Sequence, residues 1–257
     1  MFRRFVPALA LSTLVLAACG STGPALTDPT EIVTQGLAAT SELTSFHFEL
    51  SLDGDIDMAE LGGQMSLNGT NLQGDFDLEA RRAQLTFAVP SLLGVSGELI
   101  ATSEALFVRT SMTGEMWMRM DAADAGGDPL SAAMDPQELI DGVEGFLDTD
   151  GVELAKLDDV DCGDRSCYLV RLTVPASALA DAGAAASMLP GDVFGESLVL
   201  DLQFDREDSY LAGVSTSFAG EQGSLTVTLT ISDYDEAVEI NPPPSDQITD
   251  GLGDFPF

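Results

Sequence analysis

Between Phe46 and Met58 the chain alternates without a break. Even positions carry Phe46, Phe48, Leu50, Leu52, Gly54, Ile56 and Met58, while odd positions carry His47, Glu49, Ser51, Asp53, Asp55 and Asp57. A period of two sends successive side chains to opposite sides of an extended backbone. This stretch is therefore a long strand with one apolar and one wet face. Such a strand cannot bury its apolar face alone, so it demands partner strands and a second layer packed against the sheet.

The same pattern recurs at 64–80, 83–89, 95–101, 105–110 and 116–120, punctuated by Gly62-Gly63, Asn68-Gly69, Pro90 and Thr113-Gly114. It resumes at 152–157, 168–174, 197–205, 210–219 and 224–234, with Gly220-Glu221-Gln222-Gly223 as the last hairpin turn. Three stretches read as helix. Asp28-Pro29-Thr30-Glu31 places Asp at an N-cap, Pro at N1 and Glu at N3, opening a helix to about Leu43 that buries Ile32, Val33, Leu37 and Leu43. Asp135-Pro136-Gln137-Glu138 repeats that start ahead of the stripe Leu139, Ile140, Val143, Phe146 and Leu147, and an alanine-rich run at 175–189 stops at Pro190-Gly191. The fold class expected is α+β. It is a curved antiparallel sheet of about ten strands, an incomplete barrel, with helices packed on its concave side. Pro242–Pro244 should end regular structure. One folded domain is expected over 28–248, with a free acidic tail at 249–257.

The N-terminus carries an address. Arg3 and Arg4 precede a 14-residue apolar stretch, Phe5 to Ala18, and Leu16-Ala17-Ala18-Cys19 closes it. A spanning helix needs about 20 apolar residues. The stretch is therefore too short, and it reads as a bacterial lipoprotein signal over 1–18, cut so that Cys19 receives lipid. Residues 19–27 then form a lipidated tether, Gly/Ser/Thr/Pro-rich after the cysteine. One acyl chain binds a bilayer only marginally, but the two of a diacylglyceryl group anchor firmly. This implies an extracytoplasmic protein held to the cell membrane through Cys19.

Charge supports that division of labour. Ten basic residues face 43 acidic ones, a net charge of −33, and loss of Arg3 and Arg4 with the signal makes it more negative. Such a chain repels nucleic acid and anionic headgroups, so no nucleic-acid partner is expected and membrane attachment falls to the lipid. With Cys19 lipidated, Cys162 and Cys167 remain as a pair around Gly163-Asp164-Arg165-Ser166. Outside the cytoplasm this reads as a disulfide across a hairpin end.

The order of these features resembles the lipoprotein family of LppX, LprA and LprG, which shares its fold with the LolA and LolB lipoprotein carriers. The residues that carry the resemblance are the lipobox ending at Cys19, the helix leading into Ser45-Phe46-His47-Phe48-Glu49, and the hairpin Leu106–Arg109 with Met116-Trp117-Met118-Arg119-Met120. A helical insert, the Cys162/Cys167 hairpin and the closing Val238-Glu239-Ile240-Asn241-Pro242 follow. The resemblance implies an incomplete barrel around helices, with an apolar cavity that takes acyl chains of lipids or lipoproteins. The candidate walls are Phe46, Phe48, Leu50, Leu52 and Ile56, then Leu198, Leu200, Leu202 and Phe204, then Leu225, Val227, Leu229 and Ile231. Met116, Met118 and Met120 add flexible side chains suited to variable cargo. The same apolar faces could also close into a solid core, which would leave an envelope lipoprotein that binds a protein partner as sensor or chaperone.

Enzymatic chemistry finds little support. His47 is the sole histidine and sits on the wet strand face. There is no G-x-S-x-G elbow and no second His for a triad or a zinc site. Asp53-Gly54-Asp55-Ile56-Asp57 lacks the Gly and Glu that a calcium-binding EF-hand loop needs at its sixth and twelfth positions. No cofactor and no metal are expected. The expected partners are the membrane, lipid or lipoprotein acyl chains and an envelope acceptor of unknown identity, and the protein should be a monomer.

Overall fold

The computed structural model describes residues 25–58, 63–121, 145, 147, 149–176, 197–220 and 223–250. Cys19 and the tether up to residue 24, most of the two later helical stretches, and the tail beyond Asp250 lie outside them. Helix α1 spans Pro29–Ser41, and the Asp28 carboxylate accepts the Thr30 and Glu31 amides at 2.9 and 3.2 Å. The capping signal in the sequence thus operates as written.

Fourteen strands follow, more than the sequence suggests: β1 (Ser45–Met58), β2 (Gly63–Ser66), β3 (Thr70–Asp77), β4 (Arg82–Val89), β5 (Val95–Ala101), β6 (Ala105–Thr110), β7 (Trp117–Asp121), β8 (Glu153–Lys156), β9 (Val160–Cys162), β10 (Arg165–Pro175), β11 (Ser197–Asp205), β12 (Leu211–Gly220), β13 (Gly223–Ser232) and β14 (Ile248–Asp250). They form one curved, unclosed sheet in the order β14-β7-β6-β5-β4-β3-β1-β13-β12-β11-β10-β8, with β2 on β1 and β9 on β10. Three differences account for the larger number. The run 64–80 is split by the Asn68-Gly69 turn, where Gly69 has φ +74°. Val160–Cys162 is too short to show alternation. Regular structure also continues past Pro244, through a 3-10 turn at Ser245–Gln247 into β14, which pairs parallel to β7 and makes the sheet mixed rather than purely antiparallel. The stretch 236–244, in which the family resemblance implies a closing strand at 238–242, pairs in no ladder.

Helix α1 is the one helix with bounds among the described residues. It crosses β8, β10, β11 and β12 on a single face of the sheet. Ile32, Val33 and Leu37 are at most 2% exposed and pack with Tyr168, Val170, Leu172, Leu202 and Phe204. Burying side chains of this size stabilises by about 1.5–3 kcal/mol each. Gly36 permits the approach, since a Cβ there would lie 2.1 Å from the Phe204 ring. The Thr40 hydroxyl ties the helix to the sheet by accepting the Leu211 amide at 2.9 Å while donating to the Gly36 carbonyl at 2.7 Å. Of the second helical stretch, Gly145 and Leu147 are described as helical, and Leu147 packs against the same cluster.

Leu43 belongs to a second cluster with Phe46, Phe48, Phe76, Ala83, Leu85 and Ala101. The Phe76 ring sits 5.0 Å from Phe46 and 5.3 Å from Phe48, both tilted. A third cluster occupies the opposite face, where Ile100, Ala105, Phe107 and Trp117 are covered by Ile240. The Arg82 guanidinium donates to the Ile240 carbonyl at 3.0 Å, which fixes the strap 236–244 across the sheet.

Candidate functional site: a continuous apolar sheet face

Cross-strand partners in a ladder share a face, so the register decides which candidate residues meet. From β1 in one direction, Leu50 opposes Leu229, which opposes Val214, then Leu202, then Val170. One row further along the strands, Leu52, Val227, Thr216, Leu200, Leu172 and Leu154 align. In the other direction Phe48 leads through Gly74, Leu85, Leu99 and Val108 to Met118. Phe46 leads through Phe76, Ala83, Ala101 and Leu106 to Met120. All the candidate wall residues except Met116 therefore lie in strands on one face of one sheet, the face on which α1 rests. Met116 stands just ahead of β7 and is 37% exposed.

Burial grades along this face. On β1, Phe46 and Phe48 are buried whereas Leu50, Leu52 and Ile56 are half-buried; on β11, Leu202 and Phe204 are buried whereas Leu198 and Leu200 are half-buried. Val227, Leu229, Ile231 and Met118 are also half-buried, and Met120 is 42% exposed. The end of the sheet near α1 and Leu43 is thus a packed core. The apolar surface toward the hairpin turns at 67–69, 90–94 and 111–115 is less completely covered. Val174, Leu225 and Phe218 are exceptions at that end, all buried, and Met120 is an exposed exception at the other.

Three grooves among the described residues lie elsewhere. One of about 470 Å³ is lined by polar residues including Gln73, Thr86, Glu98 and Arg109. One of about 480 Å³ lies beside the Cys162–Cys167 hairpin, and one of about 540 Å³ beside Arg82, Arg119 and Pro242. Ile231 is the single wall residue that lines any of the three.

No protein-family model matches this chain, and no curated protein matches it by sequence. Solved structures do. The lipoprotein LppX of Mycobacterium tuberculosis aligns over 84% of this chain and 100% of its own at a TM-score of 0.52 and 18% identity. LprF from Mycobacterium bovis aligns over 86% and 99% at a TM-score of 0.52 and 15% identity. The chain has the LppX fold. At such identities the likeness resides in backbone architecture, and the apolar face described above is the feature of this chain's own side chains that the architecture organises.

The wet face holds ion pairs. His47 Nδ1 lies 2.8 Å from Asp75, Arg109 pairs with Glu98 at 2.7 Å, and Arg171 makes two bonds of 2.7 Å to Asp201. The disulfide joins Cys162 to Cys167 across the β9–β10 hairpin, with Cα atoms 5.9 Å apart and Gly163 at φ +70° in the turn. Asp205, only 1% exposed, is the functional-looking group that the sequence does not flag. Its carboxylate accepts the Glu207 and Asp208 amides at 2.7 and 2.9 Å and faces Arg165 at 3.4 Å, so it organises the β11–β12 turn. Its two neighbouring sulfurs are joined to each other, which removes them as metal ligands. Among the described residues no helix is long and apolar enough to cross a membrane.

Proposed function

We propose that this protein is an extracytoplasmic lipoprotein, anchored through Cys19, that binds acyl chains of lipids or lipoproteins against the apolar face and carries or presents them within the cell envelope. The observation that carries this reading is the single face running from Val170 through Leu202, Leu229 and Leu50 toward Met118, with burial declining toward one end. Apolar side chains left half-covered in so large a sheet are suited to a ligand that is itself apolar. The LppX fold and the lipobox support the same reading.

Native mass spectrometry of the protein purified from its own envelope tests the proposal, with lipid adducts expected. Consistently ligand-free protein, or recovery of a tightly bound protein in place of lipid, would refute it. Leu50 faces Leu72 and Leu229. Overfilling an apolar site costs about 1–3 kcal/mol, so Leu50→Trp should lower lipid occupancy roughly tenfold while leaving the sheet folded.

A further inference from the structure

The two hairpin turns that join β4 to β5 and β6 to β7 project from the same end of the sheet, and they display the most exposed large apolar residues described. Leu93 is 102% exposed, Met112 81% and Leu92 49%. Leu93 also has φ +57°, a conformation that leucine seldom adopts. Among the described residues no packing accounts for a fully exposed leucine held in that way.

Both turns are closed by hydrogen bonds. In the first turn the Leu92, Gly94 and Val95 amides donate to the Val89, Pro90 and Leu92 carbonyls at 3.0–3.1 Å. In the second, the Thr113 amide donates to the Thr110 carbonyl and the Thr110 amide to the Thr113 hydroxyl, both at 3.0 Å. The turns are also joined at their bases, because the Ser111 amide donates to the Ser96 carbonyl at 2.7 Å and the Ser96 amide to the Ser111 hydroxyl at 3.3 Å. Two strand spacings separate them, roughly 10 Å.

Charge distinguishes this corner from the rest. Pro90-Ser91-Leu92-Leu93-Gly94 contains no ionisable residue, and the second turn has Glu115 alone. Turns at the opposite end carry Glu79, Arg81, Glu104, Arg206, Glu207 and Asp208. In a chain of net charge −33, a corner with two apolar prongs and almost no carboxylate is where an anionic or zwitterionic surface can be approached without repulsion or a large desolvation cost. Two separate prongs make a poor flat protein interface, which needs about 800 Å² per partner, but they suit insertion into a soft apolar layer.

We infer that the Leu92-Leu93 and Met112 prongs dock into a lipid bilayer, placing the less covered end of the apolar face at the membrane. This deepens the lipid-carrier reading and rests on it for the cargo; docking itself is measurable without cargo.

The test uses the full lipidated chain reconstituted into phosphatidylcholine vesicles. Leu93→Trp and Met112→Trp are made separately, with Ser103→Trp at the opposite end as control. The native Trp117 is 4% exposed and gives a constant background. Both prong tryptophans should shift to the blue and be quenched by brominated phosphatidylcholine, placed either in the anchoring vesicle or in a second protein-free population, and the control should do neither. In the same assay Leu92→Asp should lower prong quenching about tenfold or more, as expected for replacing a buried leucine by a charge. Prong tryptophans that stay solvent-exposed with brominated lipid in both places would overturn the inference. So would a blue shift that follows protein density without lipid quenching, which would assign the prongs to a second copy. Native mass spectrometry of the same samples separates the two readings: loaded protein with unquenched prongs refutes only the docking, and quenched prongs on empty protein refute only the carrier.

Discussion

Asp205 and Asp235 are two carboxylates that hold turns, and they should behave differently when altered. Asp205 is buried and satisfies two amides that have no other acceptor in the turn. Asp205→Ala leaves those part-buried donors without their acceptor and should cost about 1–3 kcal/mol, read as a lower urea midpoint at unchanged slope. Asp208→Ala, which removes an exposed partner of Arg165, should cost under about 1 kcal/mol. Asp235 is exposed and accepts the Thr44 amide at 2.7 Å and the Thr44 hydroxyl at 2.8 Å, and these bonds hold its pKa below the ordinary value. A carboxylate depressed in the folded state stabilises the fold above its unfolded pKa of about 3.9, and that contribution is lost as pH falls through the lower folded value. Stability should therefore fall off below about pH 4, and Asp235→Asn should flatten this part of the profile. An unchanged acid limb in the variant would remove Asp235 from the account. Burial pushes the Tyr234 phenol well above its ordinary value while its hydroxyl donates to the Ile231 and Leu211 carbonyls, so it stays protonated and locks the end of β13.

At the scale of elements, α1 and the disulfide hairpin each depend on a local feature whose removal can be measured. Gly36→Ala pushes a methyl into the Phe204 ring, and α1 must slide or Phe204 must rotate. Overpacking of this kind costs about 1–3 kcal/mol. Chemical denaturation of Gly36→Ala should register it, with little change for Ala38→Gly beyond helix propensity. Replacing both Cys162 and Cys167 by Ser opens a loop of a few residues, for which the chain-entropy model gives about 2 kcal/mol. Because Cys167 is fully buried, the serine hydroxyl there adds a desolvation cost, and Cys162→Ser with Cys167→Ala should be the milder pair. The sequence made these elements legible wherever a local rule acts alone: the Asp28 cap, the alternation of β1, and the Gly163-Asp164 turn between paired cysteines. It left illegible what depends on partners distant in the chain. Nothing in Met118 or Leu200 announces that they share one face eleven strands wide, since that follows from register. The pairing of β14 with β7 is invisible because three residues, Ile248–Asp250, are too few to show a period. Within the strap, Val238–Pro242 resembles the family's closing strand, but its partner is the Phe107–Trp117 surface rather than a ladder.

For the whole molecule, one sheet supports cores on both of its faces. The α1 cluster and the Phe46–Phe76 cluster share the candidate lipid face and meet at Ile231, which packs against both. The Trp117 cluster lies behind β5–β7 and exists because the chain returns after β13 to cover it. Strands β5–β7 are thus stabilised from this side as well, through the buried Phe107 and Trp117. This also makes the strap a structural condition for the corner that carries the exposed prongs. The protein has a single tryptophan, so its emission reports on this cluster alone. Truncating Ile240, 3% exposed, to Ala should cost about 2–4 kcal/mol through lost burial and the cavity left behind. If the strap lifts as a unit, Trp117 emission should move to the red and become accessible to acrylamide at denaturant concentrations where far-ultraviolet circular dichroism of the sheet is unchanged. Arg82→Met should act in the same direction more weakly, because it removes the bond to the Ile240 carbonyl and spares the apolar contact. Coincident loss of the fluorescence and dichroism signals in both variants would show instead that strap and sheet unfold as one cooperative unit, and the strap would then be part of the core rather than a cover over it.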